Sequence, residues 1–401
     1  MFGKAIKRLY KVLCQEEWDA TVCGIIVALL SIMSLAWARP WGAVGAVRNW
    51  GEWILYYIGM WGDQPASILI HSGSVIGLGF VAGAFISACL GGDFAFRIPP
   101  RLELAKAVFA GIFMGVGSAL AGGCNIGGFY NSVGNLCASG FAMMIGIIVG
   151  AVIGIKYLYW EMEHITWGSG GAKTFQVPGA LQIILALVML GVLIWGTNAY
   201  ATSDDDSLVR LAGLLIIPAG LGYTMQRGRW CMIQGFREPH MTGDTKMAKS
   251  VALSVVILAA GVAIIKFTGI QAIEHYVRGF FGWGGVVGGV IFGFGALLAG
   301  GCGTGTLWRV GEGQIKLWVV MPIFGISNAI VNGWFKAHDW EGMEEYIDEG
   351  ITNDGIFGTF VYMPETWLGY GGTLALIFFV MALWYIIVTW NEESEKLIVP
   401  M

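Results

Sequence analysis

Ten stretches of about 20 predominantly apolar residues constrain the fold of this chain more than any other feature of its sequence. They lie at 20–38, 66–90, 105–123, 137–155, 178–198, 208–225, 248–268, 283–300, 315–333 and 367–390. A helix of this length crosses a bilayer, where a backbone must satisfy its own hydrogen bonds. Only 12% of the residues are charged, about half the share of soluble domains, which excludes an ordinary soluble enzyme. We therefore predict an all-α polytopic membrane protein, with a short aromatic stretch at 52–61 lying at the interface.

The lysine and arginine residues predict the orientation of these helices. With the N-terminus in the cytoplasm, 17 of the 23 basic residues fall in cytoplasmic segments and four fall outside. Cytoplasmic loops are enriched in Lys and Arg, so we expect both termini to be cytoplasmic. The outer segments are acidic at 204–206 and 339–349, which favours a solvated loop or a docking surface for a basic partner. A net charge of −4 offers no basic footprint for nucleic acid.

The chain contains an internal repeat with an offset of 178 residues. Residues 110–127 read AGIFMGVGSALAGGCNIG and residues 288–305 read GGVIFGFGALLAGGCGTG, with nine of 18 positions identical. We interpret this as a duplication, with membrane repeats at 1–200 and 201–401. The predicted topology gives the two copies opposite directions, so the repeats are inverted. Inverted repeats are typical of transporters, which bind substrate near the midplane between the halves.

A glycine-rich, weakly hydrophobic stretch follows each AGGC string, at 125–135 and 303–313. We predict that both stretches are re-entrant loops whose backbone amides and helix starts form an anion site. The predicted supporting residues are Gly122, Gly123, Asn125 and Gly127 in the first copy, and Gly300, Gly301, Gly303 and Gly305 in the second. The alternative is that these glycines serve only close helix packing.

Three of the seven cysteines stand in notable strings. Cys124 and Cys302 occupy the same position of the repeat, and Cys231 lies in QRGRWC beside Arg227 and Arg229. Nearby cations favour the thiolate and attract an anion, although the arginines could equally be topology anchors. No cysteine or histidine spacing is typical of a metal or haem site, so we predict no cofactor.

The strings AGGCNIG (121–127), QRGRWC (226–231) and AGGCGTG (299–305) resemble the three cysteine motifs of the YeeE/YedE family. The similarity extends over roughly 66–156 and 208–333. Characterised members are thiosulfate importers of the bacterial inner membrane, and longer members are often named for selenium metabolism. The two halves stand here in the reverse order, and Gly128 follows the first motif where the importers can carry a histidine.

The resemblance implies an hourglass-like path along which three cysteines pass a sulfur anion by transient S–H···S contacts. By motif, Cys124 belongs to the outer station, Cys302 to the central one, and Cys231 is the third. It also implies a cytoplasmic sulfur carrier of the TusA type as a partner. The sequence predicts transport of a small sulfur-containing anion, thiosulfate first, and does not require an oligomer.

Two alternatives stay open at this point. The same path could carry a selenium compound or a polysulfide, because these anions share size and charge. A membrane sulfurtransferase would instead hold a persulfide on a cysteine, which needs a reactive thiolate and a nearby acid or base. Neither AGGC string has an adjacent histidine or carboxylate, so the sequence favours passage over catalysis.

Overall fold

The computed structural model describes residues 2–166, 168, 170–273, 276, 279–338 and 354–400, and the acidic stretch at 339–349 lies outside them. In chain order the α-helices are α1 (Phe2–Tyr10), α2 (Ala20–Trp37), α3 (Val44–Tyr57), α4 (Ser72–Gly91), α5 (Arg101–Leu120), α6 (Asn131–Gly134), α7 (Ser139–His164), α8 (Gly179–Ala201), α9 (Asp206–Arg227), α10 (Met232–Met241), α11 (Lys246–Phe267), α12 (Trp283–Ala299), α13 (Gly303–Gly311), α14 (Ile315–Ala337) and α15 (Gly369–Ser394). Short π-helical segments occur at Lys11–Gln15 and Asn125–Tyr130, and a 3₁₀ turn at Met363–Glu365.

Ten helical stretches of the described residues are long and apolar enough to cross a membrane. They overlap all ten predicted stretches, which confirms the helical, multi-pass membrane protein. Seven are single helices, whereas the other three extend over more than one helical segment: Arg101–Gly134, Asp206–Met241 and Trp283–Gly311. Each of these three stretches is interrupted close to one of the motif cysteines.

Glycines bring the central helices into backbone contact. α4 packs on α9, where a side-chain carbon on Gly83 would overlap the carbonyl of Ala219. α5 packs on α12 with Gly117 beside Phe292 and Gly295 beside Met114, so the contacts run in opposite order along the two helices. The two helices are therefore antiparallel, and close packing accounts for many of the glycines outside the motifs.

The peripheral helices present apolar surface outward. Only 17% of the most apolar window of α8 and 28% of that of α15 are buried, against 78% for α4. Because lipid is the favourable environment for such a surface, α8 and α15 form the lipid-facing rim and α4 belongs to the core.

Helix α3 is a feature that hydropathy does not predict, because it is too short and too polar to span a bilayer. The aromatic stretch at 52–61 begins within it. The helix packs on α14 through Gly51 and Gly325, whose backbones lie in contact. Its N-cap residue Ala43 is buried, and the backbone amides at its start face the first motif cysteine.

Two small antiparallel ladders cover the ends of the helical core. Strand β1 (Ala95–Ile98) pairs with β2 (Lys173–Gln176), and Arg97 of β1 also bridges to Gln314, just beyond α13. Strand β3 (Asp354–Gly355) pairs with β4 (Gly358–Thr359), and Thr359 bridges to Phe281 ahead of α12. Both ladders therefore hold loops against the ends of the interrupted stretch formed by α12 and α13.

Candidate functional site

The three motif cysteines occupy the same position in three copies of one backbone turn. Each follows the end of a long helix and is the N-cap of the next helical segment. Two residues before each cysteine the backbone is left-handed, with φ of 69° at Gly122, 50° at Arg229 and 78° at Gly300. The residue between donates its amide to a carbonyl five residues back: Gly123 to Ser118 (2.8 Å), Trp230 to Met225 (2.9 Å) and Gly301 to Ala296 (3.1 Å).

This turn explains two of the predicted glycines. Glycine adopts positive φ without steric cost, and a left-handed residue ends a helix in the Schellman motif. Gly122 and Gly300 therefore stand where the turn requires them. Arg229 holds the same conformation as a non-glycine residue, and its side chain is fixed by an ion pair described below.

Cys231 and Cys302 form a buried pair of thiols, with 3.6 Å between their sulfur atoms. The amide of Gly305 donates to Cys302 Sγ at 3.3 Å, and Thr304 Oγ1 lies 3.4 Å from the same sulfur. The amide of Gln234, in the first turn of α10, faces Cys231. Both sulfur atoms therefore lie at the positive ends of helices.

Cys124 lies beside this pair rather than apart from it. A side-chain carbon on Gly303, the residue after Cys302, would lie 3.1 Å from Cys124 Sγ. Four backbone amides face that sulfur, two from its own helical segment and two from the start of α3: Ile126, Gly127, Ala43 and Val44. The structure thus brings all three predicted cysteines to one place, and no feature of the sequence indicated the part that α3 plays.

Several buried polar atoms at this place have no protein partner among the described residues. Asn125 is fully buried, and neither its Nδ2 nor its Oδ1 is hydrogen-bonded. Thr306 Oγ1 and Trp308 Nε1 are also buried and unpartnered. Orphaned buried groups cost free energy, so these four atoms, which lie on the helical segments that follow Cys124 and Cys302, are candidates for binding a ligand.

The predicted arginines Arg227 and Arg229 lie in ion pairs. Arg227 is buried and binds Asp93 and the carbonyl of Cys14. Arg229 Nη1 lies 2.8 Å from both carboxylate oxygens of Glu312, which Arg97 also binds at 2.9 Å. These carboxylates neutralise the two arginines, and their predicted role in an anion site stays a prediction.

Sequence reasoning missed Arg309, which reaches the thiol pair instead. Its Nη1 lies 4.0 Å from Cys231 Sγ, and its guanidinium stacks 4.2 Å from the centre of the Trp308 ring. Arg309 comes seven residues after Cys302, two turns along α13, and so projects from the same helix face. The spacing of seven residues between Cys302 and Arg309 is the sequence feature that could have predicted this contact.

The remaining predicted glycines have different surroundings. Side-chain carbons on Gly301 and Gly305 would lie 2.7 Å and 3.0 Å from Arg309 Nη1, so both glycines make room for the guanidinium. One on Gly123 would meet the backbone of Gly128, whereas one on Gly127 would meet nothing within 4 Å. In the described part of the chain, no three His, Cys, Asp or Glu side chains group to hold a metal.

Comparisons with known proteins agree with the motifs. The chain is 26% identical over 381 residues to the probable transporter YedE of Escherichia coli (strain K12), covering 90% of this chain and 89% of that protein. It is 40% identical over 119 residues to the thiosulfate transporter TsuA of the same organism, covering 29% of this chain and 33% of that protein. The Sulphur transport family model matches residues 4–153 and 227–400, most of the chain and all three cysteines. The chain therefore belongs to the Sulphur transport family.

Proposed function

We propose that this protein carries thiosulfate into the cytoplasm along a path on which Cys124, Cys231 and Cys302 lie. The observation that carries the proposal is the meeting of three buried thiols at the starts of three helical segments, beside Asn125, whose amide has no hydrogen-bond partner within the described ranges. The name of the relative TsuA supports the choice of substrate for the first test.

The chemistry of the site suits an anion with a sulfur end. Helix starts carry partial positive charge and free amides, which stabilise an anion without a counter-ion. A thiol is a weak donor and a weak acceptor, so it can contact the terminal sulfur of thiosulfate without binding it tightly. Weak contacts at successive cysteines allow the anion to leave each station again.

We further propose that the halves 1–200 and 201–401 are inverted repeats whose motif loops are re-entrant, in a bacterial inner membrane with both termini cytoplasmic. The antiparallel packing of α5 and α12 supports the inversion. The shared turn at Gly122 and Gly300 supports the duplication, and the distribution of Lys and Arg supports the orientation. Cys124 would then be reached from outside, and Cys302 from the cytoplasm.

A cytoplasmic carrier of the TusA type would receive the sulfur, and selenium compounds or polysulfide are the alternative substrates. The short distance between the Cys231 and Cys302 sulfurs favours one further candidate, a sulfurtransferase. In that reaction a thiol attacks the outer sulfur of thiosulfate, the S–S bond breaks with its electron pair on sulfite, and a persulfide forms. Mass spectrometry would then find one added sulfur on Cys231 or Cys302 after exposure to thiosulfate.

Growth on thiosulfate tests the proposed function. A bacterium that cannot import sulfate or thiosulfate is given the protein, with thiosulfate as its only sulfur source. We expect growth, and its loss in Cys302→Ala. Cys89→Ala is the matched control, since Cys89 is equally buried but belongs to α4.

Three outcomes decide the matter. Unimpaired growth of Cys302→Ala would overturn the cysteine path. No growth of the wild type, with the protein in the membrane, would overturn thiosulfate as substrate and direct the test to labelled selenite. A persulfide on either thiol, formed in step with sulfite release, would replace passage with sulfur transfer.

A further inference from the structure

The second AGGC copy carries a cation, Arg309, that forms no ion pair with a carboxylate of the described residues. Arg309 Nη1 lies 4.0 Å from Cys231 Sγ and 3.5 Å from the carbonyl oxygen of Gly305. In the described part of the chain, its guanidinium forms no ion pair with a carboxylate. A buried or half-buried cation without a counter-charge is costly unless a ligand supplies the charge.

The neighbouring cations differ from Arg309 in this respect. Glu312, only three residues further along, is bound by both Arg97 and Arg229. Asp93 pairs with Arg227. Glu312 and Asp93 are thereby engaged by other arginines, and neither forms an ion pair with Arg309 among the described residues.

Local structure holds the Arg309 guanidinium in place. It stacks on Trp308, a contact in which the ring face attracts the cation. The absence of side chains at Gly301 and Gly305 leaves the space that its Nη1 occupies. A planar guanidinium fixed in this way presents paired N–H donors, which match the oxygens of an oxyanion.

We propose that Arg309 selects for negative charge at the Cys231–Cys302 pair by binding the oxyanion end of the substrate. This inference rests on the proposed function and deepens it. Thiosulfate has two chemically different ends, and the site offers two matching groups: a guanidinium for the oxygens and two thiols for the terminal sulfur. A neutral sulfur compound would meet the thiols but leave the guanidinium unpaired, so the site would discriminate against it.

Alkylation with two reagents of nearly equal size tests the charge selection without any transport. Iodoacetate is an anion and iodoacetamide is neutral, and both alkylate thiols. The rates at Cys231 and Cys302 are measured by mass spectrometry in membranes that contain the protein. We expect Arg309→Gln to lower the ratio of the iodoacetate rate to the iodoacetamide rate by about tenfold, as losing a close charge partner does. The ratio cancels changes in thiol reactivity or access that affect both reagents equally.

Two variants make the result interpretable. Arg309→Lys keeps the charge and should keep most of the preference for iodoacetate. Arg237→Gln is the matched control, because Arg237 pairs with Glu238 on α10 and its loss removes the same charge elsewhere. If Arg309→Gln does not accumulate, Gly301→Ala, which displaces the guanidinium, takes its place and should lower the ratio.

An unchanged ratio in Arg309→Gln, or an equal fall in Arg237→Gln, would overturn the role of Arg309. Because neither reagent is thiosulfate, this outcome is independent of the growth assay. A wild type that grows on thiosulfate while Arg309→Gln keeps its ratio would refute only this inference. A wild type that fails to grow while Arg309→Gln loses its ratio would refute only thiosulfate.

Discussion

The two AGGC copies share the backbone conformation of the turn and of the cysteine but offer different chemistry. Cys124 and Cys302 have nearly identical dihedral angles, with φ of −75° and −74° and ψ of −178° and −175°. Each cysteine carbonyl accepts an amide hydrogen bond from four residues ahead, at 2.6 Å from Gly128 and 2.7 Å from Thr306. The side chains that follow are not alike. The first copy has Asn125 and Asn131, where the second has Gly303 and Arg309.

Their partners differ as well. Cys124 faces the backbone amides of Ala43 and Val44 at the start of α3, whereas Cys302 faces the thiol of Cys231 at the start of α10. The first copy is therefore a neutral site of amides around one thiol, and the second is a cationic site around two. The comparison teaches that the two copies share the turn, which positions a cysteine, and differ in the groups around it. Three predictions test this division.

The largest effect is expected from Gly303→Asn. This substitution gives the second copy the residue that the first copy has at position 125, at the point where the second copy contacts Cys124. Gly303→Asn adds a side chain where even a Cβ would lie 3.1 Å from Cys124 Sγ. We expect uptake of thiosulfate to be abolished while the protein still reaches the membrane. Gly191→Ala is the control, because Gly191 lies on the peripheral helix α8 and its Cβ would meet no described atom within 4 Å. Undiminished uptake by Gly303→Asn would show that the path does not pass between Cys124 and Cys302.

A smaller effect is expected from replacing Asn125, which should raise the thermal stability and lower the uptake rate. Asn125→Leu removes two buried polar atoms that have no hydrogen-bond partner in the described part of the chain, each of which costs about 1–3 kcal/mol when unsatisfied. We expect the thermal midpoint in detergent to rise and the uptake rate to fall by about tenfold, equivalent to about 1.4 kcal/mol. A lower thermal midpoint with normal uptake would mean that the side-chain amide of Asn125 stabilises the fold and does not bind substrate. The proposed site at Cys124 would then lack its main polar side chain.

The smallest effect tests the turn that the two copies share. Gly122 and Gly300 both have positive φ, and an alanine there costs about 1–2 kcal/mol of stability. We expect Gly122→Ala and Gly300→Ala to lower the thermal midpoint by similar amounts, with Gly127→Ala unchanged. A large difference in thermal midpoint between Gly122→Ala and Gly300→Ala would show that the two turns do not constrain the backbone equally.

Sequence reasoning reached the helices and the cysteines by two local signals. Hydropathy over about 20 residues predicted all ten spans, because the bilayer sets the length of an apolar helix. The identity of AGGC strings marked Cys124 and Cys302, and QRGRWC marked Cys231. Neither hydropathy nor motif identity predicted helix α3, since it is short, carries Arg48 and Glu52, and lies in no detected repeat.

The partners of Arg227 and Arg229 could not be predicted from the sequence. Arg227 and Arg229 adjoin Cys231 in the chain, and proximity in sequence predicted a role at its thiol. The fold instead pairs them with Asp93 and Glu312. A salt bridge depends on which distant segments meet, and no composition or spacing in one sequence specifies that.

By itself the sequence determined that this is a helical membrane protein of the Sulphur transport family with three marked cysteines, because chain hydropathy and motif identity are local properties. Only the tertiary structure decided that the three thiols share one place, that amides at the start of α3 face Cys124, and that Arg309 rather than Arg227 or Arg229 lies beside the thiol pair. Those outcomes depend on antiparallel packing of helices that are far apart in the chain, where glycine contacts fix the distances.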